Sequence, residues 1–450
     1  MKKRFIFILC GLFLCAGTIA ATDYNALQQG AVGDGKTLNT KSLQSAIDAL
    51  HAKEGGQLYF PAGRYLTGSL QLKSNVTLYL EKEAVLLGST SPYDYPGFST
   101  EKELKVNNDH FDQALIYAEG AENIGITGEG RIDGQGRELA LTIDSLHVEN
   151  RAYWNNDGID ISDCKDVRIS NCFINSADDG ICLKSHNWGA WNDRVSISNC
   201  HIISSASAIK FGTESLGGFK NVTIDNIRIK DTFRSAIAIE SVDGAEIENV
   251  QVSNVHAVNT GNAIFIRLGH RSGEQPGYLR NVTIKDVYVE VPFGRPDINY
   301  DLCGPAVTFF HNPFPSSISG IPGHDIENVK LENIEIVCPG RATRGMAYMS
   351  LSRLKDVPEN EKGYPEFTMF EELPSWGFYV RHVKGIQMHN VKLRLQEDDF
   401  RPAFVFDRVS NVRLSGISLP ENKKAGQVVL RQTSLQSADN AVKEYVREVE

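Results

Sequence analysis

The feature that most narrows the fold is a phrase that the chain keeps repeating. "VRISNC" (Val167–Cys172) returns as "VSISNC" (Val195–Cys200), "VTIDNI" (Val222–Ile227), "VQVSNV" (Val250–Val255), "VTIKDV" (Val282–Val287), "VKLENI" (Val329–Ile334) and "GIQMHNV" (Gly385–Val391). Earlier copies are "NVTLYL" (Asn75–Leu80) and "NIGITG" (Asn123–Gly128). Each copy alternates apolar and polar residues, as a strand with one buried face does. A period of 27 or 28 residues with little helical patterning predicts an all-β, single-stranded, right-handed parallel β-helix. An Asn recurs at one place in the repeat, at Asn171, Asn199, Asn226, Asn254, Asn333 and Asn390. Asn tolerates left-handed backbone and its amide can bond to the next coil, so these residues should stack as a ladder at a sharp bend. "TKSLQSAIDALHAKEGG" (Thr40–Gly56) breaks the pattern. Its apolar residues Leu43, Ile47 and Leu50, followed by Gly55 and Gly56, predict an amphipathic helix that caps the solenoid and covers its open strand edges.

A second repeat runs beside the first: "DGIDIS" (157–162), "DGICLK" (179–184), "SAIKFG" (207–212), "SAIAIE" (235–240) and "NAIFIR" (262–267). Put in register, Ile159, Ile181, Ile209, Ile237 and Ile264 stack inward. The alternate residues then form outward columns: Asp157, Asp179, Ser207, Ser235, Asn262; Asp160, Cys182, Lys210, Ala238, Phe265; and Ser162, Lys184, Gly212, Glu240, Arg267. Neighbouring coils lie about 4.8 Å apart, so Asp157 and Asp179 should be stacked neighbours with Asp178 beside them. Acids held at that spacing raise one another's pKa, which suits a carboxylic acid and a carboxylate working together near neutral pH. The same residues are also compatible with a calcium site, or with Asp-Gly dipeptides that merely favour turns.

A net charge of −10 over 450 residues leaves no basic stripe to neutralise phosphates and argues against nucleic acid as a partner. "MKKR", then "FIFILCGLFLCAG", then "TIAA" reads as a signal peptide over residues 1–21, with the mature β-helix domain at 22–450. The apolar run is short for a membrane anchor, and Leu14 before Cys15 argues against a lipoprotein. Export to a periplasm or beyond is the expectation, with no integral membrane segment in the mature chain. Six cysteines remain in it (Cys164, Cys172, Cys182, Cys200, Cys303 and Cys338) in no zinc spacing. Cys172 and Cys200, at equivalent repeat positions, are expected to be small buried apolar residues.

At the paired aspartates the chain resembles glycoside hydrolase family 28, the polygalacturonase and rhamnogalacturonan hydrolase family. The family's Asn-Thr-Asp-Gly has its counterpart in "NNDG" (Asn155–Gly158) and its Asp-Asp pair in "ADDG" (Ala177–Gly180); "GAVGDGKTLNTKSLQSAIDAL" and "ENIGITGEGRIDGQG" resemble its N-terminal coils. The resemblance implies an inverting glycosidase with no cofactor or metal, acting on pectic polysaccharide. Asp178 would be the general acid, and Asp157 with Asp179 would hold and deprotonate water. Two departures bear on specificity. Where polygalacturonases carry Gly-His-Gly this chain has "ASA" with Ser207, and where they carry Arg-Ile-Lys it has Ala238, Ile239 and Glu240. A glutamate there would repel a uronate leaving group and accept a neutral sugar, as in rhamnogalacturonan hydrolases. Before the bond, Lys184 and Lys210 are expected to meet a galacturonate carboxylate. Arg267 is either a third cation or a partner for Glu240, and His186 either bonds substrate or is a satisfied loop residue. Trp188 and Trp191 could wall the cleft or pack on the solenoid. The excursion Tyr364–Val383, with Glu366, Arg381 and His382, reads as packing, of a kind that can close one end of a cleft. Two other readings stay open: an exo-hydrolase of another uronate linkage and a non-catalytic carbohydrate-binding β-helix. A lyase would need a calcium cage and a facing cationic base.

Overall fold

The computed structural model describes residues 22–91, 94–95, 115–118, 121–133, 142–151, 155–294, 296, 314–420 and 427–450. The expected signal peptide at 1–21 and Cys303 lie outside the described residues. The chain divides into two compact units, Met1–Leu139 and Ala140–Glu450.

In the first unit the strands Thr22–Asn25, Gly56–Phe60, Val76–Leu80 and Gly125–Gly128 form one parallel sheet. Gly63–Thr67, Ala84–Gly88 and Arg131–Asp133 form a second, and Leu70–Leu72 pairs with Ile116–Ala118 in a third. The helix Thr40–Ala52 forms where its apolar spacing predicts. It buries Leu43, Ala46, Ile47 and Leu50 in the same core as Leu58, Phe60, Val76 and Leu78.

Among the described residues the second unit is a single ladder of eighteen strands, every pairing of them parallel. Its register is the one the alternating pattern implies: Ile159 faces Ile181, Ile181 faces Ile209, Ile209 faces Ile237 and Ile237 faces Ile264. These isoleucines sit in one continuous apolar core, because a one-residue slip would turn the whole apolar set outward. The chain is thus a parallel β-helix. The ladder asparagines have φ between 53° and 55° at Asn171, Asn199, Asn226, Asn254, Asn333 and Asn390. Their amides do bond coil to coil: Asn226 Nδ2 donates to Asn199 Oδ1 at 2.7 Å, and Asn390 Nδ2 to Asn333 Oδ1 at 2.8 Å. Asp286 holds the place between Asn254 and Asn333 with the same backbone, and accepts from Asn333 at 2.8 Å. Cys172 and Cys200 are buried and unpaired.

The outer face of the later coils departs from the expectation that its columns face a groove. The excursion between Cys338 and Phe378 folds over it as two short 3-10 turns, Arg344–Met346 and Leu351–Asp356. Met349, Leu354, Val357, Phe367 and Phe370 pack there on Ala238, Phe265, Tyr379 and Val405, making a second apolar cluster outside the solenoid core. Ala238 and Phe265 are therefore core residues of a different kind, apolar because a cover was waiting for them. Among the described residues no helix is long and apolar enough to cross a membrane.

Candidate active site

Asp157 and Asp179 are each followed by a glycine, and the reason is coil packing rather than a turn. Gly158 and Gly180 are both absent from the positions with positive φ. A Cβ on Gly180 would come within 2.4 Å of Ile202 Cγ2 and 2.6 Å of the Ala208 carbonyl; one on Gly158 would meet Ile174 and the Gly180 carbonyl as closely. The glycines let successive coils close up behind Asp157 and Asp179. Gly180→Ala is expected to destabilise the unit by about 1–3 kcal/mol through overpacking, read as a lower midpoint in urea unfolding with an unchanged slope.

The backbone then sets the acids. Gly158 N–H donates to Asp179 O at 2.8 Å and Asp178 N–H to Asn156 O at 3.2 Å, continuing the ladder through the motif. Carboxylate oxygens of Asp157 and Asp179 lie within 4.8 Å of each other and of Cys182 Sγ. Asp179 Oδ1 accepts the Ser207 N–H at 2.9 Å, and Asp178 Oδ1 accepts the Asp179 N–H at 2.9 Å. The three aspartates expected to converge therefore do so, with Asp157 and Asp178 half-buried and Asp179 buried.

One lysine is in direct contact with the cluster. Lys184 Nζ lies 2.7 Å from Asp157 Oδ2 and 2.9 Å from Asp160 Oδ2. Burial works against the Lys184 charge, but the two carboxylates outweigh it and hold the ammonium protonated. Burial, then Asp179 and Asp160, push the Asp157 carboxyl up to about 8, with Lys184 pulling the other way. Burial and the Asp179 charge likewise raise Asp178 to about 6, against the pull of Arg234 and Lys210. Carboxyls this close titrate as a unit, and near neutral pH the cluster retains a proton. Burial holds the Cys182 thiol well above its usual range, and it donates to the Gly212 carbonyl at 2.8 Å. With a thiol and an ammonium in the cluster, the donor set does not suit a divalent cation.

Three other expected site residues are placed differently. Lys210 and Glu240 are 0% and 1% exposed and pair with each other, Nζ to Oε1 at 3.1 Å. Lys210 is opposite Ala238 in the ladder, which puts Glu240 one outward position along. Tyr364 closes the top: its ring centroid is 5.9 Å from Lys210 Nζ, and its hydroxyl accepts from Thr213 Oγ1 at 3.0 Å. Neither residue reaches a groove, so the expected lysine before the bond and glutamate after it are corrected to a buried ion pair. Arg267, also fully buried, donates to Ser319 Oγ and to the carbonyls of Gly320, Glu359 and Asn360. It ties the covering excursion to the solenoid and is neither a groove cation nor bonded to Glu240. His186 stays near the acids: its Nδ1 is 3.0 Å from Ser162 Oγ, beside the position that faces Lys184.

Arg234 was overlooked. It stands one residue before Ser235, as Asp178 stands before Asp179, so it shares the Asp178 column with only the small Ala206 between them. Its N–H donates to the Ala206 carbonyl at 2.9 Å, and its charge draws Asp178 down. Glu366 of the excursion reaches back to it, with Arg234 Nη1 2.8 Å from Glu366 Oε2. Arg381 and His382 are structural, bound to Val357 O and to Glu359. Trp191 packs under Lys220, whose Nζ is 3.3 Å from the ring centroid, while Trp188 turns onto the Gly244 and Gly273 backbone.

Residues 24–254, just over half of the chain, match the family described as "Rhamnogalacturonase A/epimerase, pectate lyase-like". A "Probable polygalacturonase" of Vitis vinifera is 29% identical over 314 residues, which is 58% of this chain and 58% of the relative. The "Exo-poly-alpha-D-galacturonosidase" of Dickeya chrysanthemi is 41% identical over 118 residues, 25% of this chain and 19% of that one. The chain therefore spans well under two thirds of the length of either. A family 28 exopolygalacturonase structure from Yersinia enterocolitica covers 87% of this chain and 78% of its own at 19% identity, with a TM-score of 0.41. The chain belongs to the rhamnogalacturonase A/epimerase, pectate lyase-like family.

Proposed function

We infer that this protein is an exported glycoside hydrolase that cleaves α-linked galacturonic acid from a pectic chain, with inversion and from a chain end. The observation that carries the reading is the cluster itself. Asp178, held at about 6, can give a proton to a leaving oxygen, and the Asp157–Asp179 pair, which retains one proton near neutral pH, can hold water and take up its proton as a unit. Asp178 and Asp179 are consecutive in the bend between the strands Phe173–Ser176 and Ile181–Ser185, so side-chain direction at the bend, rather than coil spacing, sets the gap between acid and base.

The cations in reach of a uronate are Lys184, shared by Asp157 and Asp160, and Arg234, shared by Glu366. A substrate carboxylate would exchange with Asp160 or Glu366 for one of them, giving charge-assisted hydrogen bonds. Beyond Lys210 the outer face is closed by the excursion. A groove closed on one side of the acids favours release of terminal units. With Lys210 and Glu240 cancelling, the case for a neutral leaving sugar rests on the missing Arg and Lys at 238 and 240 rather than on Glu240 touching the sugar.

The test is product analysis on defined galacturonate–rhamnose and galacturonate–galacturonate oligomers, with and without chelator. Saturated monogalacturonate with inverted anomeric configuration, formed equally in chelator and faster from the rhamnose-containing oligomer, is the expected outcome. Unsaturated, calcium-dependent product would replace this reading with a lyase, and absence of product with a binding protein.

A further inference from the structure

A cavity of about 550 Å³ opens outside the aspartate cluster, within the size range of small-molecule sites. Trp188 and Tyr278 form its aromatic walls, and Glu246, Glu274 and Gln275 supply its polar groups. Trp188 is 58% exposed, an uncommon state for so large an apolar surface in a structure with this much core. Its indole is nonetheless seated. A Cβ on Gly244 would come within 2.6 Å of the ring and one on Gly273 within 2.9 Å, and both glycines have φ above +90°.

The seat is held by Asp243, which accepts from Arg271 Nε at 2.9 Å, from Arg271 Nη2 at 2.6 Å and from Ser272 Oγ at 2.6 Å. The Gly273 carbonyl lies 3.0 Å from His270 Nε2. On the opposite wall the Tyr278 hydroxyl donates to Glu246 and Glu248, at 3.1 and 3.2 Å, and the Arg280 guanidinium lies 4.3 Å from its ring centroid. The aromatic faces are therefore set before any ligand arrives.

We propose that this cavity is a second saccharide site, separate from the aspartates, that binds a neutral pyranose unit. A sugar stacks its apolar C–H face on an indole and offers hydroxyl donors to carboxylates and amides. The lining carries two glutamates and no cation; Lys220, 3.6 Å from Glu246, offsets one of them, and Arg280 bonds Glu248 at 2.6 Å. A galacturonate carboxylate would meet repulsion there, and a neutral sugar would not. The choice of a saccharide rests on the pectic reading; the site itself rests on the cavity. A neutral-sugar site on a uronate-cleaving protein would tether it to mixed pectic chains and raise the local concentration of cleavable bonds.

Ligand-observed saturation-transfer NMR with methyl α-rhamnoside, methyl β-galactoside and methyl α-galacturonate tests this, using the Asp178→Asn protein so that nothing turns over. At least one neutral glycoside should bind, at least tenfold more weakly in Trp188→Ala and close to the parent in Trp188→Phe. Galacturonate binding should be indifferent to Trp188→Ala, and turnover of a short oligomer by the otherwise wild-type Trp188→Ala protein should stay within twofold. Neutral glycosides that bind Trp188→Ala as well as the parent, or bind neither, overturn the site. Turnover that collapses along with binding overturns its separateness. Absence of turnover by the wild type on every pectic oligomer would sink the hydrolase reading and leave this binding result standing.

Discussion

Asp178→Asn should lower turnover of a pectic oligomer by about 10²- to 10⁴-fold, the usual share of a positioned general acid, with KM little changed. The amide keeps the shape and can still accept the Asp179 N–H that Asp178 Oδ1 accepts now, so the loss would be one of proton transfer. The wild-type pH profile follows from the same group. A proton donor held at about 6 loses its proton as pH rises, so kcat/KM should fall above about pH 6. That limb should be absent from the residual activity of the variant.

Stability should move the other way. Asp178 has an ordinary value of 3.8 and is raised to about 6 in the fold, by burial first and then by Asp179. The folded state therefore holds the extra proton between those values, and the stabilisation it brings is lost as pH climbs through the upper one. By linkage the difference amounts to about 3 kcal/mol. Asp178→Asn has no such proton to lose, so above pH 6 it should unfold at higher denaturant than the wild type, and near pH 4 at the same denaturant. A variant that is both inactive and less stable at pH 8 would mean that Asp178 is there for structure.

Lys210→Met is expected to cost about 3–5 kcal/mol, the penalty for stranding a buried charge. Lys210 and Glu240 are almost wholly inaccessible and 3.1 Å apart; burial pushes the Glu240 carboxyl up, and the Lys210 ammonium restrains it. Without Lys210 that carboxyl rises further and folds protonated. The damage should therefore grow as pH rises above the ordinary glutamate value of 4.5, because the unfolded chain releases the proton first. Lys210→Met combined with Glu240→Met should recover most of the loss, and the cycle should show strong coupling. The double variant should keep the wild-type KM for a galacturonate oligomer. A large rise in KM would return Lys210 to the role of gripping substrate and overturn the buried-pair assignment.

The differences between the two lysines explain how far the sequence could be read. Lys184 and Lys210 have the same local grammar, each an outward residue on a repeat strand one coil from an aspartate. Lys184 bonds two of the acids directly, whereas Lys210 pairs with Glu240 and acts on them only through its field. The reason is an excursion over a hundred residues away, whose Tyr364 and Phe367 cover one part of the face and leave the other open. Alternation tells which side of a strand a residue takes; it carries no information on what later folds over that side. Arg234 is the reverse case. Its place in the Asp178 column was legible from the register, yet it lies one residue outside the aligned strand phrases and was passed over.

The chain's own pattern determined the parallel coils, the inward isoleucines, the left-handed asparagines and the meeting of Asp157, Asp178 and Asp179, because a period of two and a fixed repeat leave each residue one side and one neighbour. Tertiary structure alone decided which outward residues stay wet, through the excursion that buries Lys210, Glu240 and Arg267 and sends Glu366 back to Arg234. Solvation and long-range ion pairing depend on contacts between distant segments, and the repeat does not encode them.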